Sequence, residues 1–195
     1  MRTASIERKT NETQINIQIE LEGSGMYEIR TGIPFYDHML TQLALHGLFD
    51  LKIEAQGDLE VDAHHTIEDV ALALGAAMDQ ALGDRKGLVR MGSAVVPMDE
   101  TLCEVAVDLS GRPYCVFNGE WNGNDINAIP VTLFEHFFSS LAIGLRSNLH
   151  AAIRYGRDDH HKAEALFKAL GRALCSASRI DPRRANAIPS SKGVL

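Results

Sequence analysis

The chain has 195 residues, a formal net charge of −7, 45% hydrophobic residues and 23% charged ones. That length suits one domain or two small ones with a substantial core, and the mixed composition excludes collagenous, coiled-coil and disordered classes. The longest apolar run, from Val70 to Met78, is about half of the ~20 residues that a bilayer span needs. No membrane partner is therefore expected, and the acidic balance argues against nucleic acid.

Residues 1–10 contain no apolar stretch suited to secretion, so a cytoplasmic location is expected. Ile15, Ile17, Ile19 and Leu21 alternate with Asn16, Gln18 and Glu20, the pattern of a half-buried antiparallel strand. Glu22-Gly23-Ser24-Gly25 turns it into a second strand over residues 27–31. A helix is predicted over residues 35–48 and a returning strand over 51–55. Asp62 is the expected cap of a long helix whose Ile67, Val70, Leu74 and Met78 keep helical spacing, with Gly83 at its end. Further on, Val95-Val96 and residues 102–109 read as strands, 130–145 holds a helix, and Asp159 opens another carrying Leu166, Phe167, Leu170 and Leu174. Cys103, Cys115 and Cys175 are odd in number and lack CxxC spacing, so reduced thiols are expected.

The second series repeats the first. Asp99-Glu100-Thr101 resembles Asn11-Glu12-Thr13, and Glu100 stands 88 residues after Glu12. The stretch from Phe134 to Ile143 parallels that from Tyr36 to Leu45, placing His136 98 residues after His38. His160-His161-Lys162-Ala163-Glu164 parallels His64-His65-Thr66-Ile67-Glu68 at an offset of 96, and each leads into a Leu-Gly pair. Three collinear matches indicate duplication. The junction is read near Gly92, dividing residues 1–92 from 93–195. Antiparallel strands followed by helices in each half give an α+β fold with helices on one face of each sheet.

An α-helix turns about 100° per residue, so His64 and His65 diverge and would not readily share one ion. Glu68 lies about 40° from His64 and about 60° from His65 and can join either; the same holds for His160, His161 and Glu164. With His38 and His136 the inventory is six imidazoles and two carboxylates. Divided between two ions, that gives three histidines and one carboxylate each, with open positions of the kind catalytic metals keep. His46 and His150 read as ordinary surface or core histidines. Asp62 and Asp159 read as helix caps, with Asp37 or Asp69 a secondary option for orienting a ligand imidazole. Nitrogen and oxygen donors without thiolate leave manganese, iron(II), zinc, cobalt and nickel open, and octahedral mixed coordination tilts the choice to manganese.

Basic residues near these motifs could hold an anion. Arg90, Arg112 in Ser110-Gly111-Arg112-Pro113, Lys168 one turn beyond Glu164, and the segment Pro189-Ser190-Ser191-Lys192-Gly193 supply cations and hydroxyls. Glu12, at a strand entrance, is a solvated edge residue unless burial or a neighbour moves its pKa towards neutrality.

Taken together, Arg8-Lys9-Thr10-Asn11-Glu12-Thr13, Gly32-Ile33-Pro34-Phe35-Tyr36-Asp37-His38-Met39, the stretch Asp62–Asp69, Gly111-Arg112-Pro113, Asp159-His160-His161-Lys162-Ala163-Glu164 and Ser190-Ser191-Lys192-Gly193 resemble the imidazoleglycerol-phosphate dehydratases of histidine biosynthesis. The likeness spans essentially the whole chain and is to the monofunctional form, without a fused phosphatase. It implies two similar halves on a ribosomal-protein-like fold, each a four-stranded, mostly antiparallel or mixed sheet with helices on one face. It also implies a hydro-lyase using two Mn2+ ions, and a homo-24-mer of cubic symmetry with active sites between protomers. The metal ligands it implies are His38, His64, His65, Glu68, His136, His160, His161 and Glu164. Substrate would be held by Arg90, Arg112, Lys168, Ser190, Ser191 and Lys192, with Glu12 as the proton-transfer group. The reaction implied is loss of water from imidazoleglycerol phosphate to give imidazole acetol phosphate, the substrate's own imidazole taking the open metal positions. The competing reading of the same ligands is a dinuclear metallohydrolase of a phosphate ester, which would release inorganic phosphate. A metal-storage or nucleic-acid-binding module is disfavoured by the acidic charge and the lack of a basic aromatic stripe.

Overall fold

The computed structural model describes residues 1–184 and 187–195 and contains two four-stranded sheets and four α-helices. The first half holds β1 (Thr3–Lys9), β2 (Thr13–Glu20), β3 (Tyr27–Arg30), α1 (Pro34–Gly47), β4 (Asp50–Gly57) and α2 (His64–Leu82). The second holds β5 (Met91–Met98), β6 (Thr101–Asp108), β7 (Tyr114–Asn118), the short pair β8 (Asp125–Ile126) and β9 (Ile129–Pro130), then α3 (Thr132–Leu145), β10 (Asn148–Tyr155) and α4 (Asp159–Ser178). The strand orders, β1-β2-β4-β3 and β5-β6-β10-β7, are the same topology twice. In each sheet the first three strands run antiparallel and the last is parallel to its neighbour. That parallel pair needs a crossover, which α1 and α3 provide.

Alternation in β2 turns Ile15, Ile17 and Ile19 inward and leaves Gln14, Asn16 and Gln18 in solvent. The register sets Ile17 against Ile53 and Ile19 against Leu51, so the inner face of the sheet is apolar. The long helix α2 lies on β1 and β2, and α4 lies on β5 and β6. The two helical layers then meet, α1 against α4 and α2 against α3, so the order through the molecule is sheet, helices, helices, sheet around one core. Glycines set how closely they cross. A Cβ on Gly144 would fall 2.3 Å from the Leu72 carbonyl oxygen, and one on Gly75 would fall 2.6 Å from the Leu145 amide nitrogen. At the other crossing a Cβ on Gly171 would lie 2.6 Å from the Leu43 carbonyl oxygen. Backbone therefore rests on backbone at both crossings. No helix among the described residues is long and apolar enough to cross a membrane.

Several local expectations shift. β1 adds a strand that the sequence pattern does not mark: its inward residues Ala4, Ile6 and Arg8 are only half-buried, so its period-2 signal is weak. The first helix is Pro34–Gly47, because Leu48 adopts a left-handed conformation (φ 56°) that ends it. The helix read over 130–145 begins at Thr132, since Pro130 closes the β8–β9 hairpin opposite Asp125. Asp159 is not a cap. Asp158, one residue earlier, accepts from the His160 and His161 amides, while Asp159 binds the Lys162 ammonium and the Asn122 and Gly123 amides. Asp62 does accept from the His64 amide at 2.7 Å, although the cap position itself is Ala63. All three cysteines are free thiols, and burial pushes Cys103 up to about 12.

Because the atoms facing Gly144 are backbone atoms that cannot rotate away, Gly144→Val is expected to overpack the α2–α3 crossing. It should lower unfolding free energy by about 2 kcal/mol or more in a denaturant titration; an unchanged midpoint would refute the close crossing.

Candidate metal centres and active site

Each helix crossing carries a group of potential metal ligands. At the α2–α3 crossing, Glu68 Oε2 stands 3.6 Å from His64 Nε2 on its own helix and 3.3 Å from His136 Nε2 on α3. At the α1–α4 crossing, Glu164 Oε2 stands 3.2 Å from His160 Nε2 and 2.9 Å from His38 Nε2 on α1. In both groups the donor atoms lie within 4.8 Å of one another. The choice left open by helical angle is thus resolved: Glu68 joins His64 and Glu164 joins His160. Each group is also built across the halves, with the short helix of one half completing the long helix of the other.

His65 and His161 join neither group. Their rings stand 6.0 and 6.2 Å from those of His64 and His160, at 70° and 86°, so neighbouring imidazoles do diverge. Within one chain each group therefore has two imidazoles and one carboxylate, not the three imidazoles that an even division would give. Each diverging ring is held by a carboxylate on its Nδ1, His65 by Asp58 at 3.0 Å and His161 by Glu100 at 2.8 Å. The Asp58 hydrogen bond raises the His65 pKa against a desolvation penalty, and Glu100 does the same for His161. Glu100 in turn is held far below the carboxylate range by His161 and the Arg157 and Asp158 amides. With Nδ1 engaged, Nε2 is the remaining donor of each ring, 3.9 Å from Glu12 Oε1 in His65 and 3.8 Å from Asp99 Oδ2 in His161, the arrangement by which outer carboxylates orient metal-binding imidazoles.

These two carboxylates were missed from the sequence as orienting groups. Glu100 was visible only as the repeat partner of Glu12, and Asp58 lies in a polar loop with no local signal. Asp37 and Asp69, the candidates for that task, do other work. Asp37 accepts from the Thr31 amide and hydroxyl; Asp69 accepts from the Thr13 hydroxyl at 2.5 Å and the Arg8 guanidinium at 2.9 Å. His46 and His150 lie outside both groups, in keeping with the ordinary role read for them.

Burial works to raise the Glu164 carboxyl, but the Lys168 ammonium at 2.7 Å and the His38 ring outweigh it and hold the group at about 2. Gln42 Nε2 lies 3.4 Å from His38 Nδ1. In the first group His136 Nε2 is buried with no hydrogen-bond partner, an orphaned donor or acceptor aimed at Glu68. That orphan, and a donor set of nitrogens and an oxygen without thiolate, fit a borderline divalent cation.

Glu12 is exposed, and its Oε1 lies 3.9 Å from His65 Nε2, beside the diverging imidazole and outside both groups. The Thr10 hydroxyl takes the Glu12 and Thr13 amides and shapes that turn. Elsewhere, the Arg90 guanidinium binds Asp108 and donates to the Pro189 carbonyl at 2.7 Å, and the Ser190 hydroxyl accepts from the Lys192 amide. A Cβ on Gly111 would come within 2.5 Å of Leu195, so the turn that carries Arg112 also meets the C-terminal segment. Arg90, Arg112, Ser190, Ser191 and Lys192 thus belong to one region. It is remote from the imidazoles: the Arg90 amide bonds the Ala177 carbonyl, 17 residues along α4 from His160. At 1.5 Å per residue that is about 25 Å.

The family model described as imidazoleglycerol-phosphate dehydratase matches residues 31–174. An imidazoleglycerol-phosphate dehydratase of Roseiflexus sp. (strain RS-1) is 60% identical over 194 residues, covering 100% of this chain and 98% of its own. Its namesake from Chloroflexus aurantiacus is 55% identical over 195 residues, covering 100% and 95%. Among solved structures, the Staphylococcus aureus enzyme aligns with a TM-score of 0.83 at 37% identity over 92% of this chain and 99% of its own. The Pyrococcus furiosus enzyme aligns with a TM-score of 0.83 at 36% identity over 97% and 100%. With its duplicated sheets, paired imidazole–carboxylate groups and full-length relatives, this chain belongs to the imidazoleglycerol-phosphate dehydratase family.

Proposed function

We propose that the chain is a cytoplasmic, dimanganese-dependent hydro-lyase that removes water from imidazoleglycerol phosphate to give imidazole acetol phosphate in histidine biosynthesis. The observation that carries the reading is the pair of groups His64–Glu68–His136 and His38–His160–Glu164, each missing the ligands that an octahedral ion still needs. A substrate that brings its own imidazole suits such incomplete shells. Two bound ions supply Lewis acidity and a template for that ring.

The residues then divide the work. His64, Glu68 and His136 would hold one ion and His38, His160 and Glu164 the other. His65 and His161, oriented through Nδ1 by Asp58 and Glu100, would offer Nε2 to ions held by neighbouring copies. Separation supports the same composite site. Arg90, Arg112, Ser190, Ser191 and Lys192 would hold the phosphate, yet Arg90, bonded to Ala177, lies about 25 Å along α4 from His160 of its own chain. A small substrate cannot bridge that, so its phosphate and its ring are gripped by different copies. Lys168, bonded to Glu164, would approach the substrate from the metal side. Glu12, beside His65, would enter with that imidazole and take the proton from the reacting carbon. A site shared between copies requires an oligomer, and a homo-24-mer of cubic symmetry is the proposed form. Within each chain the two duplicated halves, read from the sequence as 1–92 and 93–195, would meet at the start of β5, which begins at Met91.

Glu12→Gln should abolish most turnover while leaving metal content and substrate binding near the native level; surviving activity would remove Glu12 as the proton-transfer group. Product analysis should find one imidazole acetol phosphate per turnover and no inorganic phosphate, whereas phosphate release would favour the hydrolase. Chelation should remove activity and shrink the assembly by light scattering, and an intact particle after chelation would contradict ions between protomers. Glu100→Gln replaces the carboxylate that raises His161 with a neutral amide, so the His161 ring in metal-free protein should titrate closer to 6.5 by NMR. With the folded pKa above the unfolded one, the His161 contribution to stability is full below about 6.5 and fades as pH rises through the raised value.

A further inference from the structure

The two ligand groups are copies of one motif but are electrically unequal. Glu164 divides its oxygens: Oε2 faces the His38 and His160 Nε2 atoms, while Oε1 takes the Lys168 ammonium at 2.7 Å. Glu164 is buried, at 8% exposure. In the first half the residue four positions beyond the glutamate is Leu72, not lysine. Among the described residues Glu68 has only imidazoles within ion-pair distance, and His136 Nε2 beside it lacks a hydrogen-bond partner. A cation entering the first group thus meets a whole negative charge and an unsatisfied nitrogen. One entering the second meets a carboxylate already neutralised by an ammonium fixed on its far oxygen.

We infer that the two groups hold divalent cations unequally, His64–Glu68–His136 the more tightly and His38–His160–Glu164 the less, and that Lys168 sets the difference. The inference rests on the proposed metal reading and concerns what that reading leaves open, the order of loading. Its physical basis is repulsion between an ion at Glu164 Oε2 and an ammonium one carboxylate away, across a carboxylate whose own burial weakens solvent screening. Lys168 need not leave, since it occupies Oε1 and Oε2 remains available. When divalent metal is scarce the protein is then half-loaded, and the vacant group is the one beside a substrate-binding lysine. The fold supplies a regulatory threshold in the metal supply.

The test is titration of metal-free protein with Mn2+ by calorimetry and by equilibrium dialysis with elemental analysis, at one protein concentration and with assembly state followed by light scattering. Two classes of sites are expected. Glu68→Gln should delete the tighter class. Lys168→Gln should tighten the weaker class by about tenfold or more, Lys168→Arg, which keeps the charge, should leave it as it was, and Leu72→Lys should weaken the tighter class. Equal affinities in the native protein, loss of the weaker class in Glu68→Gln, or unchanged or weakened binding in Lys168→Gln would each overturn the inference. If neither group retained an ion, the proposed metal reading itself would fall, an outcome distinct from two equal classes.

Discussion

The contact on which everything else rests is the close crossing of helices between the halves, α2 over α3 and α1 over α4. At Gly75, Gly144 and Gly171 there is no room for even a Cβ, so main chain approaches main chain. Only at that separation can an imidazole on a short helix reach a carboxylate on a long helix of the other half. His136 comes to 3.3 Å from Glu68, and His38 to 2.9 Å from Glu164. The apolar core and the candidate metal centres are therefore one construction: the same layer that buries Val70, Leu74, Leu141 and Leu170 also fixes the geometry of the ligands.

Much of this was legible in the sequence because it is local or repeated. The β2 alternation, the helical spacing of Ile67, Val70, Leu74 and Met78, and the adjacent histidines obey short-range geometry, and divergence of neighbouring rings follows from helical pitch alone. What was hidden depends on contacts between distant segments. Nothing near His65 announces that Asp58 will meet its Nδ1, and nothing near Asp69 announces that it will serve Thr13 and Arg8. The choice of His64 over His65 as partner of Glu68 required knowing where α3 would lie. The cap moved from Asp159 to Asp158 for a comparable reason: a loop some 36 residues away, at Asn122 and Gly123, recruits the Asp159 carboxylate.

The positions of the candidate anion-binding and metal-binding residues explain why a single chain is an incomplete catalyst on the proposed reading. The histidine pairs start the long helices, whereas Arg90, bonded to Pro189 ahead of the Ser190–Lys192 stretch, sits near the other end of α4. Long helices make a rigid spacer. In an assembly, such a spacer lets one copy present imidazoles at one boundary and guanidinium groups at another, so that metal loading and association become linked equilibria. Asp58 and Glu100 suit this division, since they aim His65 and His161 away from the groups of their own chain.

The exchange of short helices between halves also bears on descent. A half-length ancestor, with one histidine on its short helix and one His-x-x-x-Glu turn on its long one, would build no ligand group alone. Docked against a twin by the same reciprocal swap, it would build two identical ones. With both copies in one chain that identity is no longer required, and the matched positions 72 and 168 are leucine and lysine.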